Sequence, residues 1–305
     1  MKALAGRKVV VTGASSGIGA ATAEAFARQG ASVVVVARSR DGLEVVAARA
    51  RAHGVAAHVV CADLSQRTSA EAAVREAVAL LGGLDVLVLN AAAMVFGPFW
   101  EVEPDDFDRT IDVTFRGAVD VTRAALPFLV QSGDGAIVAT GSIAARIPLA
   151  TFSSYSAAKH ALRGFFNSLR VELQTAKVPV TVSMVHPGLV NTPLWDNVSS
   201  AVGRLPRRPP DAYAPEEIAR ALVACAITGR DELTIGGEAR AGEIIYAAAR
   251  PLASRVLGLI ARYHHSGSRP APAGGLLHEP TGTGDARGSV GVSRPSLWGR
   301  LRTRR

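Results

Sequence analysis

Lys8-Val9-Val10-Val11-Thr12-Gly13-Ala14-Ser15-Ser16-Gly17-Ile18-Gly19 is the stretch that decides the fold. An unbroken β-branched run enters a turn carrying three glycines, and a helical pattern begins inside that turn at about residue 17 and continues to 29. A strand that passes through a glycine corner directly into a helix is the first half of a β-α-β unit. Glycine lets the backbone turn tightly and lets an anion approach free N–H groups at the positive end of the helix. The spacing is G-x-x-x-G-x-G. Such residues also serve plain turns and close helix–sheet packing, but their place between strand and helix favours nucleotide binding by Gly13, Ser15, Ser16, Gly17, Ile18 and Gly19.

Outward from this unit the pattern repeats. Apolar runs at 8–11, 32–37, 57–61, 86–90, 136–140 and 180–186 have the length and continuity of strands buried on both faces. Helical patterns fall between them at about 17–29, 41–53, 67–81, 104–130 and 154–176. Alternation of this kind predicts an α/β fold, a single-domain Rossmann-like doubly wound parallel sheet flanked by helices. No break in composition appears before about residue 265. The predicted organisation is a nucleotide-binding catalytic domain over 1–238, a helical extension over 239–265, and a disordered Arg/Gly/Pro-rich tail over 266–305.

At 305 residues the chain buries an ample core without a staple or a metal. Cys61 and Cys225 stand alone, with no CxxC pair, which predicts a reducing, cytoplasmic setting. The start runs straight into a strand, so no export signal is expected, and the apolar run at 256–261 is far short of the roughly 20 residues of a membrane span. The net charge of +8 is concentrated in the tail, where Arg269, Arg287, Arg294, Arg300, Arg302, Arg304 and Arg305 face only Glu279 and Asp285. The nearly balanced body gives no nucleic-acid footprint, and none is expected as a partner.

The second run ends Ala37-Arg38, where an acidic residue would hold the ribose hydroxyls of NAD. An arginine pairs instead with a 2′-phosphate, so the residues favour NADP(H), with Ser15, Ser16 and Ser39 as further donors. Asp63, after the third run, is placed either to accept a hydrogen bond from an adenine amino group or to cap the next helix.

Ser142 lies thirteen residues before Tyr155, and Lys159 four after it. Tyr155 and Lys159 share one helical face, and an ammonium with a cationic nicotinamide would lower the phenol pKa from its ordinary ~10 toward working pH. Ser142 can donate a hydrogen bond to a substrate oxygen. Each residue alone has a bland reading, as a satisfied ring or a solvated charge; their order after the glycine turn does not.

With TGASSGIG (12–19), Asp63, Asn90-Ala91, Ser142, Tyr155-Ser156-Ala157-Ala158-Lys159 and His186-Pro187-Gly188-Leu189-Val190-Asn191-Thr192 in this order, the chain resembles a classical short-chain dehydrogenase/reductase over roughly 6–235. The resemblance implies an NADP(H)-dependent interconversion of a ketone or aldehyde and an alcohol, without a metal. In it Tyr155 is the acid/base, Ser142 polarises the carbonyl, and Lys159 holds the nicotinamide ribose and tunes Tyr155. Pro187, Gly188, Val190 and Thr192 line the nicotinamide pocket, and Asn90 and Ala91 the ribose and adenine side. It also implies a homodimer or homotetramer built on 104–130 and 154–176.

Two positions depart from the family pattern. Ala92 adds a methyl group where relatives have glycine, and Thr114 stands where an asparagine completes a catalytic tetrad. Thr114 can still offer a main-chain carbonyl to a proton relay. The two departures are also what a catalytically weak NADP-binding regulatory protein of the same fold would show. Phe96, Phe99, Trp100, Leu194 and Trp195 are either the wall of a pocket for a bulky hydrophobic substrate or ordinary core. The 240–263 stretch reads as a lid or packing element ahead of a dimer element or a membrane-surface helix.

Overall fold

A computed structural model describes residues 4–208 and 212–289. Nine strands follow in order: β1 (Lys8–Thr12), β2 (Ser32–Ala37), β3 (Ala57–Cys61), β4 (Val86–Leu89), β5 (Val95–Phe96), β6 (Gly135–Thr140), β7 (Val180–Pro187), β8 (Ser199–Ser200) and β9 (Glu232–Ile235). Seven of them make one wholly parallel sheet in the order β3-β2-β1-β4-β6-β7-β9, and β5 pairs with β8 in a small separate ribbon. The order reverses direction between β1 and β4, the switch point at which open α/β sheets leave a crevice beyond the carboxyl ends of their strands.

The helices are α1 (Gly17–Ala27), α2 (Arg40–Arg51), α3 (Arg67–Leu81), α4 (Pro104–Ile111), α5 (Gly117–Gln131), α6 (Ser153–Thr175), α7 (Pro215–Thr228), α8 (Gly237–Ala248), α9 (Arg250–His265) and the single turn α10 (Gly275–His278). Side chains alternate across the sheet, so one strand feeds two cores. Val9, Val11, Val33 and Val35 pack with Phe26 of α1, Leu43 of α2 and Leu222 of α7. Val10, Val34 and Leu87 pack on the opposite face with Val74 of α3, Leu129 of α5 and Phe166 of α6. The continuous β-branched runs are thus buried on both faces, as their composition requires.

The helix expected over 104–130 is interrupted, since Asp112–Arg116 winds as a π-helical turn between α4 and α5. Helix α7 was not among the expected helices, although Pro215 in its first turn, Glu216 and Glu217 behind it, and the left-handed Gly229 after its last residue all mark its ends. Among the described residues no helix is long and apolar enough to cross a membrane.

Residues 266–289, the described part of the tail expected over 266–305, lie against the body of the fold. Leu277 is fully buried beside Ala93 and Val95, and the glycine-rich chain beyond it runs along the carboxyl edge of the sheet. Its contacts are made through main-chain carbonyls to donors on the body, which a segment poor in apolar side chains can still supply. The rest of the expected tail, 290–305, lies outside the described residues.

At the switch point Thr12 clasps the two central strands. Its buried hydroxyl donates to the Val88 carbonyl at 3.3 Å and accepts from the N–H groups of Asn90 at 3.0 Å and Ala91 at 3.3 Å. The isosteric change Thr12→Val leaves buried amides unpaired, at a cost of about 1–3 kcal/mol. Urea unfolding should show a loss of that size, and an unchanged midpoint would mean that the clasp contributes nothing.

Candidate active site

Two cavities meet above the carboxyl ends of β1, β4 and β6. The first, of about 180 Å³, is lined by Gly13, Ser15–Ile18, Arg38, Asp63, Asn90, Ala91, Tyr155, Lys159 and Thr192. The second, of about 210 Å³, is lined by Met94, Ser142, Leu149, Phe152, Tyr155, Pro187, Gly188, Val190, Thr192, Trp195 and His264. Tyr155 faces both.

The glycine turn is shaped by contacts that exclude side chains. Gly13 and Gly17 have φ of 63° and 60°. A methyl group on Gly13 would lie 2.7 Å from the Ala91 Cα, and one on Gly19 only 2.2 Å from the Gly13 carbonyl oxygen. Gly19 therefore sits behind the cavity wall and sets its curvature. Asn90 fixes the same turn by donating from Nδ2 to the Gly13 carbonyl at 3.1 Å. The result is a backbone cradle at the start of α1, the end of a helix that favours negative charge.

Ser142 follows β6 in extended conformation, and its Oγ accepts from the Ala144 N–H at 3.1 Å, which leaves its own O–H to donate. Behind it His186 Nδ1 lies 3.2 Å from the Ser142 carbonyl oxygen. The Lys159 ammonium donates to the Thr140 carbonyl at 2.8 Å and stands 5.6 Å from the centre of the Tyr155 ring. Helix α6 thus brings Tyr155 and Lys159 to the end of β6, where Ser142 already is.

Burial moves these two groups in opposite directions. It pushes the Tyr155 phenol up to about 12, with a hydrogen bond to Ser142 working the other way. It draws the Lys159 ammonium down to about 7. In the chain alone desolvation disfavours the charged form of each, whereas the lowering of the Tyr155 pKa expected from sequence invokes a cationic nicotinamide as well.

Arg38 lines the first cavity at the end of β2, as its position predicts. Its guanidinium donates to the carbonyls of Leu277 at 2.9 Å and Leu276 at 2.5 Å. Asp63 lines the same cavity but does not cap α3, which starts at Arg67 with Gln66 before it. Its carboxylate receives Arg109 at 2.7 Å and the Ser65 N–H at 3.0 Å. Burial raises the Asp63 pKa, but the Arg109 and Ser65 hydrogen bonds outweigh it and hold the group below its ordinary value. Nothing local in the sequence marks Arg109, which meets Asp63 across 46 positions.

Thr114 is fully buried and belongs to the wall of neither cavity. Its hydroxyl accepts from the Ala93 N–H at 3.0 Å and donates to the Ala93 carbonyl at 3.1 Å, which pins the loop after β4. Of the five residues considered for an apolar wall, Leu194 and Trp195 line the second cavity. Phe96 is core, whereas Phe99 and Trp100 are 65% and 82% exposed on a short 3₁₀ turn that swings them outward. The sequence reading missed Met94, Leu149 and Phe152, and also His264, which α9 lays beside Phe152 and Trp195. Burial lowers the His264 pKa. Among the described residues no cluster of side chains is suited to a metal ion.

The chain matches the short chain dehydrogenase family over residues 7–203. It is 32% identical over 273 residues to an uncharacterized oxidoreductase, YxnA, of Bacillus subtilis, covering 89% of this chain and 77% of that protein. It is 39% identical over 233 residues to hydroxysteroid 11-beta-dehydrogenase 1-like protein A of Xenopus laevis, covering 75% and 77%. Among solved structures, an alcohol dehydrogenase from the archaeon Thermococcus sibiricus complexed with 5-hydroxy-NADP superposes with a TM-score of 0.66 at 28% identity, covering 75% of this chain and 95% of that one.

The Lys159 shift has a consequence for stability. Between about pH 7 and 10.5 the folded chain holds Lys159 neutral while the unfolded chain binds its proton, so stability rises with pH across that window. Urea unfolding at pH 7 and 9.5 should show this rise in the parent and its loss in Lys159→Met. An equal pH dependence in both would contradict the shift.

Proposed function

Because the chain belongs to the short-chain dehydrogenase/reductase family and is an NAD(P)-dependent oxidoreductase, we propose that it interconverts a ketone or aldehyde and an alcohol with NADP(H) at Ser142, Tyr155 and Lys159. The observation that carries the reading is the position of Tyr155 between the glycine-lined groove and the apolar cavity that holds Ser142. The groove has the lining a dinucleotide calls for: Ser15 to Ile18 stand on the glycine turn at the start of α1, where a pyrophosphate would be received, and Asn90, Ala91 and Thr192 line the groove. Pro187, Gly188 and Val190 wall the junction with the second cavity, where a nicotinamide would lie.

Preference for NADP(H) rests on Arg38 and Ser39, which line the groove at the end of β2, and on the neutral Ala37 before them. A guanidinium and a hydroxyl suit a 2′-phosphate. Asp63, already engaged by Arg109, is left to line the adenine side.

The chemistry a bound reduced nicotinamide would supply here is hydride for the carbonyl carbon. In that direction the Tyr155 O–H gives its proton to the carbonyl oxygen, and Ser142 donates a second hydrogen bond to the same oxygen as charge develops there. The phenol's raised pKa keeps its proton in place until the substrate oxygen becomes basic. Lys159, anchored on the Thr140 carbonyl, lies below the ring and is placed to hold a ribose hydroxyl. Thr114 serves by position, holding the loop at Ala93. Met94, Leu149, Phe152 and Trp195 give the substrate cavity an apolar wall, which suits a bulky hydrophobic carbonyl compound. The reading includes a homodimer or homotetramer through α4–α5 and α6, on which Val130 and Val171 are exposed.

With NADPH and a panel of hydrophobic ketones and aldehydes, the parent should consume reduced cofactor while Tyr155→Phe does not; turnover by that variant at the parent's rate would overturn the mechanism. Arg38→Ala should raise the KM for NADPH relative to that for NADH about tenfold or more, the worth of a lost charge-assisted hydrogen bond to a 2′-phosphate. An equal effect on both cofactors would overturn the NADP(H) preference.

A further inference from the structure

Residues 275–289 lie along the groove and engage the donors that the NADP(H) reading assigns to phosphate groups, and the role inferred for them rests on that reading. Arg38 donates to the carbonyls of Leu276, Leu277 and Glu279 at 2.5, 2.9 and 3.2 Å. Ser39 Oγ donates to the Gly282 carbonyl at 2.6 Å, and the Gly17 N–H donates to the Asp285 carbonyl at 2.9 Å. Gly284 completes the set by donating its N–H to the Ser15 carbonyl at 2.9 Å. Carbonyl oxygens of the chain therefore accept from the guanidinium, the hydroxyl and the glycine-turn amide that a 2′-phosphate and a pyrophosphate would require.

The seat is close-fitting. A methyl group on Gly282 would lie 2.3 Å from Ser15 Oγ, and one on Gly284 2.5 Å from a methyl carbon of Val45. Bare backbone is what allows the segment to lie flat in the groove. One end is anchored by Leu277, buried beside Ala93 and Val95, with its N–H on Ser199 Oγ at 3.1 Å and its carbonyl also taken by Arg109 at 3.2 Å. The other end is tied where the Gly288 N–H meets the Asn191 carbonyl and where Arg287 pairs with Glu216 at 3.0 Å.

We propose that the dinucleotide groove is also a peptide-binding site whose resident ligand is the chain's own 275–289 segment, and that this segment and NADP(H) exclude one another. A donor that faces a main-chain carbonyl is not free for a phosphate oxygen, and Gly282 stands against Ser15 in the path of the pyrophosphate. A segment seated nine-tenths of the time weakens apparent cofactor affinity about tenfold.

Two full-length variants loosen the segment while keeping Gly13–Gly19, Arg38 and Ser39 as they are: the pair Gly282→Ala and Gly284→Ala, and separately Leu277→Ser. In fluorescence titration with NADPH both should bind about tenfold more tightly than the parent. Hydrogen exchange at the amides of 275–289 in the parent should accelerate when NADPH is saturating. Unchanged or weaker binding by both variants, or slower exchange with NADPH bound, would overturn exclusion; weaker binding and slower exchange together would make the segment a strap over the cofactor. If the released variants bind NADPH and NADH equally tightly, both more tightly than the parent, exclusion stands and the NADP(H) preference fails. If they match the parent while Arg38→Ala weakens NADPH binding alone, the preference stands and exclusion fails. NADPH binding to none of these proteins would overturn both.

Discussion

The ends of β1 and β4 approach so closely that there is no room between them for one carbon atom. The Gly13 backbone lies against Ala91, Gly19 lies against the Gly13 carbonyl, and Thr12 and Asn90 stitch the two strand ends together with hydrogen bonds. Everything above the sheet takes its position from that contact. Because the strands are parallel and the order turns back at this point, the crevice that opens here receives Arg38 from β2, Asp63 from beyond β3 and the residues after β6. A larger residue at Gly13 or Gly19 would wedge the strand ends apart and change the groove's depth as well as its local lining.

The same desolvation that closes the core sets the proton affinities of the site. Burial favours the neutral forms of both Tyr155 and Lys159, so the phenol keeps its proton and the amine gives its own up more readily. The protein thereby holds a proton donor beside an apolar cavity, with an amine next to it whose charge burial disfavours. Ser142 completes this arrangement with a hydroxyl whose acceptor side is already taken by Ala144, which orients its donor side.

Most of the sheet and the heart of the site were legible in the sequence because both are written in short-range patterns. Strands buried on two faces are long β-branched runs, the glycine turn is a spacing, and Tyr155 and Lys159 are one helical turn apart. What escaped depends on contacts between distant positions. Arg109 meets Asp63, and His264 reaches Trp195, only after the helices are placed. Phe99 and Trp100 follow Phe96 closely in sequence, yet a 3₁₀ turn decides that they face outward. The path of 275–289 is written in main-chain carbonyls, which every residue has and no composition betrays. Helix α7 is a different case, since Pro215, Glu216 and Gly229 advertised it.

The walls of the apolar cavity come from points spread along nearly the whole chain: Met94 after β4, Ser142 after β6, Trp195 after β7 and His264 at the end of α9. Synthesis runs from the N-terminus, and chain that has emerged begins to fold before the remainder is made. The cradle at Gly13–Gly19 and its support at Asn90 are complete within the first third of translation, whereas the apolar cavity gains its last wall only when α9 is made and docked. The glycine cradle is thus built early and the cavity late, so a chain halted after β9 would carry a finished sheet and a substrate chamber open on the side that His264 closes.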